Sequence, residues 1–207
     1  PPGDAGFAKF TAGTSLHVPL TNGAIDDAAT FGRYLLRGLS LHGSFDFGVL
    51  HPLTYGGLCP DRTCPTDRFY AGGPMKLRGF LPSGIGPRAA TGGSSVPGGD
   101  SLGGDFFYSS TLAASVPAGF LGGFFHRSGT RLVGFANAGT LTGPFWGRDA
   151  VCTPLEAARS TRVSAGVGLA TNFGGTARVE VTYAVPLRYG PRDGMRRGQF
   201  GMGFSFG

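Results

Sequence analysis

The last residues of the chain, Gln199-Phe200-Gly201-Met202-Gly203-Phe204-Ser205-Phe206, alternate a small or polar residue with an apolar one without a break. A period of two is the pattern of a β-strand with one apolar face. The same period runs through six earlier stretches. In residues 6–20, Phe10, Ala12, Leu16 and Val18 share one face, and Lys9, Thr11, Ser15 and His17 the other. Residues 33–50 set Leu39, Leu41, Phe45, Phe47 and Val49 against Ser40, His42, Ser44, Asp46 and Gly48. Residues 105–117 carry Phe106, Tyr108, Leu112, Ala114 and Val116 on one side, and 130–140 follow with less cleanly separated faces. Residues 161–171 oppose Val163, Ala165, Val167 and Leu169 to Arg162, Ser164, Gly166 and Gly168. Residues 176–187 oppose Val179, Val181, Tyr183, Val185 and Leu187 to Arg178, Glu180, Thr182 and Ala184.

These seven strands are joined alternately by shorter turns (21–32, 118–129, 172–175) and longer loops (51–104, 141–160, 188–197). Short turns at one end and long loops at the other is the arrangement of an outer-membrane barrel. A soluble sandwich or lipocalin-like barrel also alternates. Its strands are usually about five or six residues long, however, and the polar face carries many charges. Here only 14% of the residues are charged, against roughly a quarter in soluble domains. The polar faces hold Gly, Ser, Thr and isolated charges, as a barrel interior does. The run Phe106–Phe125 is long and uncharged, but Pro117, Gly119, Gly122 and Gly123 argue against a membrane helix. The segment 154–159 suits a short helix. The reading is therefore all-β, a transmembrane antiparallel β-barrel. Seven strands do not close a barrel of ordinary width, and an open edge in hydrocarbon leaves backbone groups unsatisfied. The opening PPGDAG likewise reads as an interior cut of a longer protein.

Between the second and third strands lies DRFYAGGPMKLRGFLPSGIGPRAATGGSSVPGGDSLGG, residues 67–104. A connection this long inside a compact domain is usually functional or disordered. Gly72-Gly73-Pro74 marks a tight turn, and Leu77-Arg78-Gly79-Phe80 sets a cation among apolar neighbours. Several motifs occur here in order: Asp67-Arg68-Phe69-Tyr70 with Gly72-Gly73, Leu77-Arg78-Gly79-Phe80, Gly84-Ile85-Gly86-Pro87 and Leu102-Gly103-Gly104. Together they resemble the sixth extracellular-type loop of the BamA-type outer-membrane assembly factors. The Ile-Gly-Pro run favours the mitochondrial branch, the central barrel of the sorting and assembly machinery. The final strand is similar to the polar-x-Gly-x-x-apolar-x-apolar sorting signal of mitochondrial barrel proteins.

The resemblance implies a barrel of about sixteen strands preceded by a soluble POTRA domain, of which this chain is the C-terminal part, with 51–104 as a loop inserted into the lumen. It implies that Leu77, Arg78, Gly79 and Phe80 enter the lumen, supported by Arg68, Phe69, Gly72, Gly73, Gly84, Gly86, Pro87, Gly103 and Gly104. The wall positions that carry acids in bacterial members match Ala113 and Asn137 here, so the partner of Arg78 is open among Asn137, Asp105 and Asp46. A buried guanidinium needs some acceptor. Residues Gln199, Phe200, Gly201, Met202, Gly203, Phe204, Ser205 and Phe206 correspond to the strand of a lateral gate. Its free edge can template a precursor strand by main-chain hydrogen bonding. Gly201 and Gly203 thin the packing along that strand and favour opening.

The implied function is insertion and folding of β-barrel precursors into the mitochondrial outer membrane, without cofactor or nucleotide. Its partners are the precursors, the lipid bilayer and accessory subunits of an assembly complex. Alternatives are a polypeptide translocation channel of the same superfamily, of plastid-import or bacterial-secretion type in the corresponding outer membrane, or a passive porin. The Leu-Arg-Gly-Phe loop counts against the porin. No enzyme motif occurs: the histidines at 17, 42, 51 and 126 lack ligand spacing, and no nucleophile elbow or phosphate loop is present. The formal charge of +6 is scattered rather than clustered, so nucleic acid is not an expected partner. Cys59 and Cys64, spaced C-x4-C, are a weak metal pair; free thiols or a local disulfide fit better, and Cys152 stands apart.

Overall fold

A computed structural model describes residues 6–20, 38–53, 63–89, 99–143, 154–173 and 177–204. The alternating stretches become seven antiparallel strands: β1 (Phe7–Pro19), β2 (Ser40–Pro52), β3 (Phe106–Pro117), β4 (Arg131–Thr142), β5 (Arg162–Phe173), β6 (Ala177–Arg188) and β7 (Gly198–Phe204). They form one sheet in sequence order, so every strand pairs with its chain neighbours and the sheet stays open at β1 and β7. Most strands run 12 or 13 residues, the length needed to cross a bilayer at a tilt. The first part of the expected second strand, 33–37, lies outside the described residues, as do Ser205 and Phe206. The connection at 118–129 is more ordered than a simple turn: a 3-10 turn Gly119–Leu121 leads into α1 (Gly123–Arg127). The helix expected at 154–159 is α2 (Pro154–Arg159).

Register fixes which residues share a face. The pairings Val18↔Leu41, Leu41↔Ala114, Ala114↔Gly134, Gly134↔Val167, Val167↔Tyr183 and Tyr183↔Gly198 carry one apolar row across the whole sheet. Large side chains on this face are left exposed, among them Phe10, Leu16, Leu112, Val181 and Phe200. A soluble protein does not leave so continuous an apolar surface bare. At the loop end, part of this face is covered by the segment after α2, where Thr140 meets Ser160 and Tyr108 meets Thr161 through hydroxyl pairs. The opposite face holds Ser40, His42, Ser109, Asn137, Ser164, Glu180 and Gln199, and on it lies the long loop.

That face assignment makes a direct prediction. Val181, 56% exposed on the apolar side, changed to Arg should cost about 2–4 kcal/mol if it sits near the bilayer midplane. Arg in place of Thr111, on the other face, should cost far less. Urea titrations of the full-length protein folded into vesicles, read by the heat-modifiable gel shift, measure both; equal costs would contradict the assignment.

Candidate functional site

The described parts of the loop, 63–89 and 99–105, lie across the inner face from β2–β4 to β5–β7, held by different chemistry on the two sides. Over β2–β4 the contact is apolar. Phe69, Leu77, Phe80 and Ile85 of the loop form one buried cluster with Leu50 of β2, Phe107 of β3 and Leu141 of β4. Each such side chain contributes about 1.5–3 kcal/mol by leaving water. Leu77 and Phe80 are thus the apolar anchors on either side of Arg78, and the cation has to follow them inward.

Arg78 is 8% exposed, and its Nε donates to Glu180 Oε1 of β6 at 2.6 Å. Its guanidinium lies 4.8 Å from the Phe135 ring centroid, a cation–π contact in a desolvated setting. Glu180 is 2% exposed and receives a second cation on its other oxygen, Arg178 at 3.2 Å. The Arg78 carbonyl accepts from the Ser164 hydroxyl at 2.6 Å. The β5–β6 register shifts here, with Val163 opposite Arg188 and Ser164 opposite Pro186, while Ser164 keeps its regular place opposite Asn137 of β4.

Gly79 packs directly on β5 and β6. Its φ is +90°, and a Cβ there would lie 3.3 Å from Ala184 Cβ and 3.4 Å from Ser164 Cβ. Glycine is needed on both counts. Gln199 of β7 clamps this point: the Gly79 N–H donates to Gln199 Oε1 at 2.8 Å, and Gln199 Nε2 donates to the Phe80 carbonyl at 2.6 Å. The β6–β7 connection adds backbone bonds. The Arg196 N–H donates to Gly79 O, the Leu81 N–H to Gly194 O, and the Gly194 N–H to Gly84 O. That connection is itself pinned by Asp193, which takes Arg162 Nε at 3.0 Å.

The supporting residues fold the loop onto itself. The Gly73 N–H donates to Phe80 O and the Leu77 N–H to Gly73 O, so Gly72 and Gly73 open the turn that presents the motif. Phe69 and Gly104 exchange a pair of backbone bonds, Leu102 N–H donates to Pro87 O, and Gly103 takes φ +68°. Gly86 passes over Leu141, where a Cβ would lie 2.6 Å from Cδ2. Arg68 donates to Thr63 Oγ1 and to the Leu102 carbonyl, closing the base of the loop.

The structure corrects the sequence reading of the Arg78 partner. Glu180 holds it, not Asn137, Asp105 or Asp46. Asp105 accepts from the Thr63 hydroxyl at 2.6 Å and lies 3.9 Å from Arg68 Nε, so it serves the loop base instead. Asp46 sits on β2 against Gly13 of β1. Asn137 is buried on β4, and neither amide atom has a hydrogen-bond partner among the described residues. The missed signal was present: Glu180 is the only acid between residues 161 and 187, on the inward parity of its strand.

On β7, Gln199 and Gly201 face inward, and Phe200 and Met202 are exposed on the apolar side. Gly201 and Gly203 have a reason the sequence did not reveal. A Cβ at Gly201 would lie 3.0 Å from Met75 Sδ and 3.1 Å from Pro74 Cβ; one at Gly203 would lie 2.8 Å from Met75 Cε. They make room for the loop. Phe204 ends the strand opposite Ala177. Beside the loop tip, a cavity of about 500 Å³ is lined by Arg78, Arg131, Arg178, His17, His42 and Met75. Cys64 is disulfide-bonded, and Cys59 and Cys152 lie outside the described residues. No group of three or more metal-ligating side chains occurs among the described residues.

Comparison with known proteins agrees with this geometry. The Omp85 superfamily domain matches residues 1–206. The human sorting and assembly machinery component 50 homolog is 35% identical over 144 residues, covering 68% of this chain and 29% of that protein. A Xenopus laevis homolog is 34% identical over 166 residues, covering 76% and 33%. The Saccharomyces cerevisiae sorting assembly machinery 50 kDa subunit is 31% identical over 160 residues, covering 77% and 30%. The chain thus spans 29–33% of the length of these relatives. Among solved structures, BamA from Haemophilus ducreyi lacking POTRA domains 1–3 superimposes with a TM-score of 0.67 at 20% identity, over 95% of this chain and 34% of that one. At that identity the likeness speaks for the fold, and the barrel it matches accounts for the open sheet edges. The chain belongs to the Omp85 superfamily, as part of an outer-membrane β-barrel of the mitochondrial sorting-and-assembly type.

Proposed function

We propose that this chain forms the C-terminal half of the barrel of a mitochondrial outer-membrane insertase, which folds β-barrel precursors into the bilayer at the edge of β7. The remaining strands and a POTRA domain belong to the rest of the full-length protein, and accessory subunits complete an assembly complex. The observation that carries the reading is the seated loop. Its Arg78–Glu180 pair, apolar anchors and backbone bonds to the β6–β7 connection occupy the inner face where a passive porin needs an open channel. The lateral edge supplies the chemistry. Backbone N–H and C=O groups along β7 face away from β6, and a precursor strand satisfies them by β-augmentation. No covalent step is involved. The barrier lowered is that of placing unpaired strand backbone in hydrocarbon, where each unmet group costs several kcal/mol.

The reading is tested with single cysteines at 198–204 in the full-length protein and one cysteine on the last strand of an imported precursor. Disulfides are expected in register along β7 during import and absent from cysteines on β3 or β4. If β7 stays unreactive while a precursor crosslinks inside the loop-lined cavity, transport through the interior replaces lateral insertion.

A further inference from the structure

The terminal strand has almost nothing of its own on its inner face. Besides Gln199, the inward positions described on β7 are Gly201 and Gly203, and their place is taken by Pro74 and Met75 of the loop. Pairing with β6 covers only seven residues, Tyr183↔Gly198 to Ala177↔Phe204. Gln199 itself is 7% exposed and spends its carboxamide on two backbone groups of the Leu-Arg-Gly-Phe motif, 119 and 120 residues away in sequence. If β7 moved off while the loop stayed, the Gly79 N–H would lose its Gln199 partner, and an unsatisfied buried donor costs about 1–3 kcal/mol. If the loop lifted while β7 stayed, the glycine face of the strand would be stripped of packing. Each element completes the other.

From this we infer that Gln199 is a positioning residue, a latch that makes the placement of the terminal strand conditional on the seat of the loop, with Gly201 and Gly203 as the notch that receives the loop tip. The inference rests on the proposed insertase reading and adds to it a coupled element: β7 departs from its resting place only when the loop leaves its seat. Gln199 acts through the loop backbone and needs no contact with a precursor. A glutamine is suited to this because one side chain supplies both an acceptor and a donor at the spacing of adjacent backbone groups. Methionine matches its volume and flexibility and supplies neither.

The test uses the full-length protein in bilayers. Pro74 and Gly201 are each replaced by cysteine; the Cβ separation of 3.1 Å at these sites is close enough for a disulfide after a small shift. The oxidised form, with loop and strand locked together, should insert precursors at least tenfold more slowly than the same protein after reduction, while the parent protein taken through the same treatment keeps its rate. Equal rates in the oxidised and reduced forms would overturn the latch. If the parent fails to insert precursors, the insertase reading fails; in that case, or if the reduced form alone fails because a side chain at 201 fills the notch, the latch is judged on a second measurement. In Gln199→Met, amide hydrogen exchange at Gly79 and along Gly198–Phe204 should rise together by about tenfold or more, with β3 and β4 unchanged. Faster exchange at Gly79 with an unchanged β7 would show that loop and strand move independently.

Discussion

Replacing Glu180 with alanine is expected to cost about 3–5 kcal/mol and to release the loop, a larger effect than replacing Arg78 itself. The asymmetry follows from the number of partners each charge has. Glu180 is buried between Arg78 and Arg178, so removing Arg78 leaves the carboxylate with Arg178 at 3.2 Å. Removing Glu180 leaves Arg78, 8% exposed and held inward by Leu77 and Phe80, without its carboxylate. The cation–π contact with Phe135 recovers about 2 kcal/mol, less than the cost of the lost carboxylate, so the guanidinium leaves for water and takes the motif with it. Glu180→Gln keeps the volume and should lie between the two variants. Protease protection of residues 63–89 and urea midpoints of the vesicle-bound protein rank the three. A protected loop in Glu180→Ala would place the seat of the motif elsewhere.

The second large effect belongs to Gly72, whose φ is +122° and where a Cβ would collide with the Leu81 carbonyl oxygen. A backbone oxygen inside the turn that presents the motif has little freedom to yield. Alanine there should lose about 1–3 kcal/mol to backbone strain. Displacing Leu81 adds a similar overpacking cost. Gly134→Ala, on the exposed apolar face with nothing within 4 Å of the new Cβ, is the matched control and should be neutral. The expected readout is a Gly72→Ala protein that still folds its strands, by heat-modifiable mobility, but whose loop is cut by protease and whose precursor insertion falls by tenfold or more. A Gly72→Ala protein with a protected loop and full activity would show that the turn is not what presents Arg78.

How far the residues alone reached can be judged strand by strand. Period-two alternation located every strand, since burial on one face only is a local signal that needs no partner to be read. It also put Glu180, Gln199 and Ser164 on the inward side. What alternation does not encode is depth along the strand and which strands the loop lies across, and there the expected Arg78 partners failed. Asn137 and Asp105 belong to the β3–β4 side, where the loop docks through apolar residues, while the cation reaches over to β6. The glycines of β7 show the same limit. Their lack of side chains reads from sequence as looseness, whereas packing shows a surface cut to fit Pro74 and Met75. The Asp193 clamp and the backbone bonds of Gly194 and Arg196 were equally hidden, because a charged loop looks the same whether or not another loop rests on it.

The bonds between the motif and Gln199 span 119 and 120 residues of chain. Contacts so remote in sequence form late, because so much chain has to be ordered before they can close. The seat of the loop is therefore complete only once β7 has found its place beside β6, whatever the order in which the earlier hairpins zip. Without β7 in place the motif would keep the Arg78–Glu180 pair and its apolar anchors but lose both Gln199 bonds, so a loop seated yet loose at Gly79 would mark a sheet whose β7 has not yet paired.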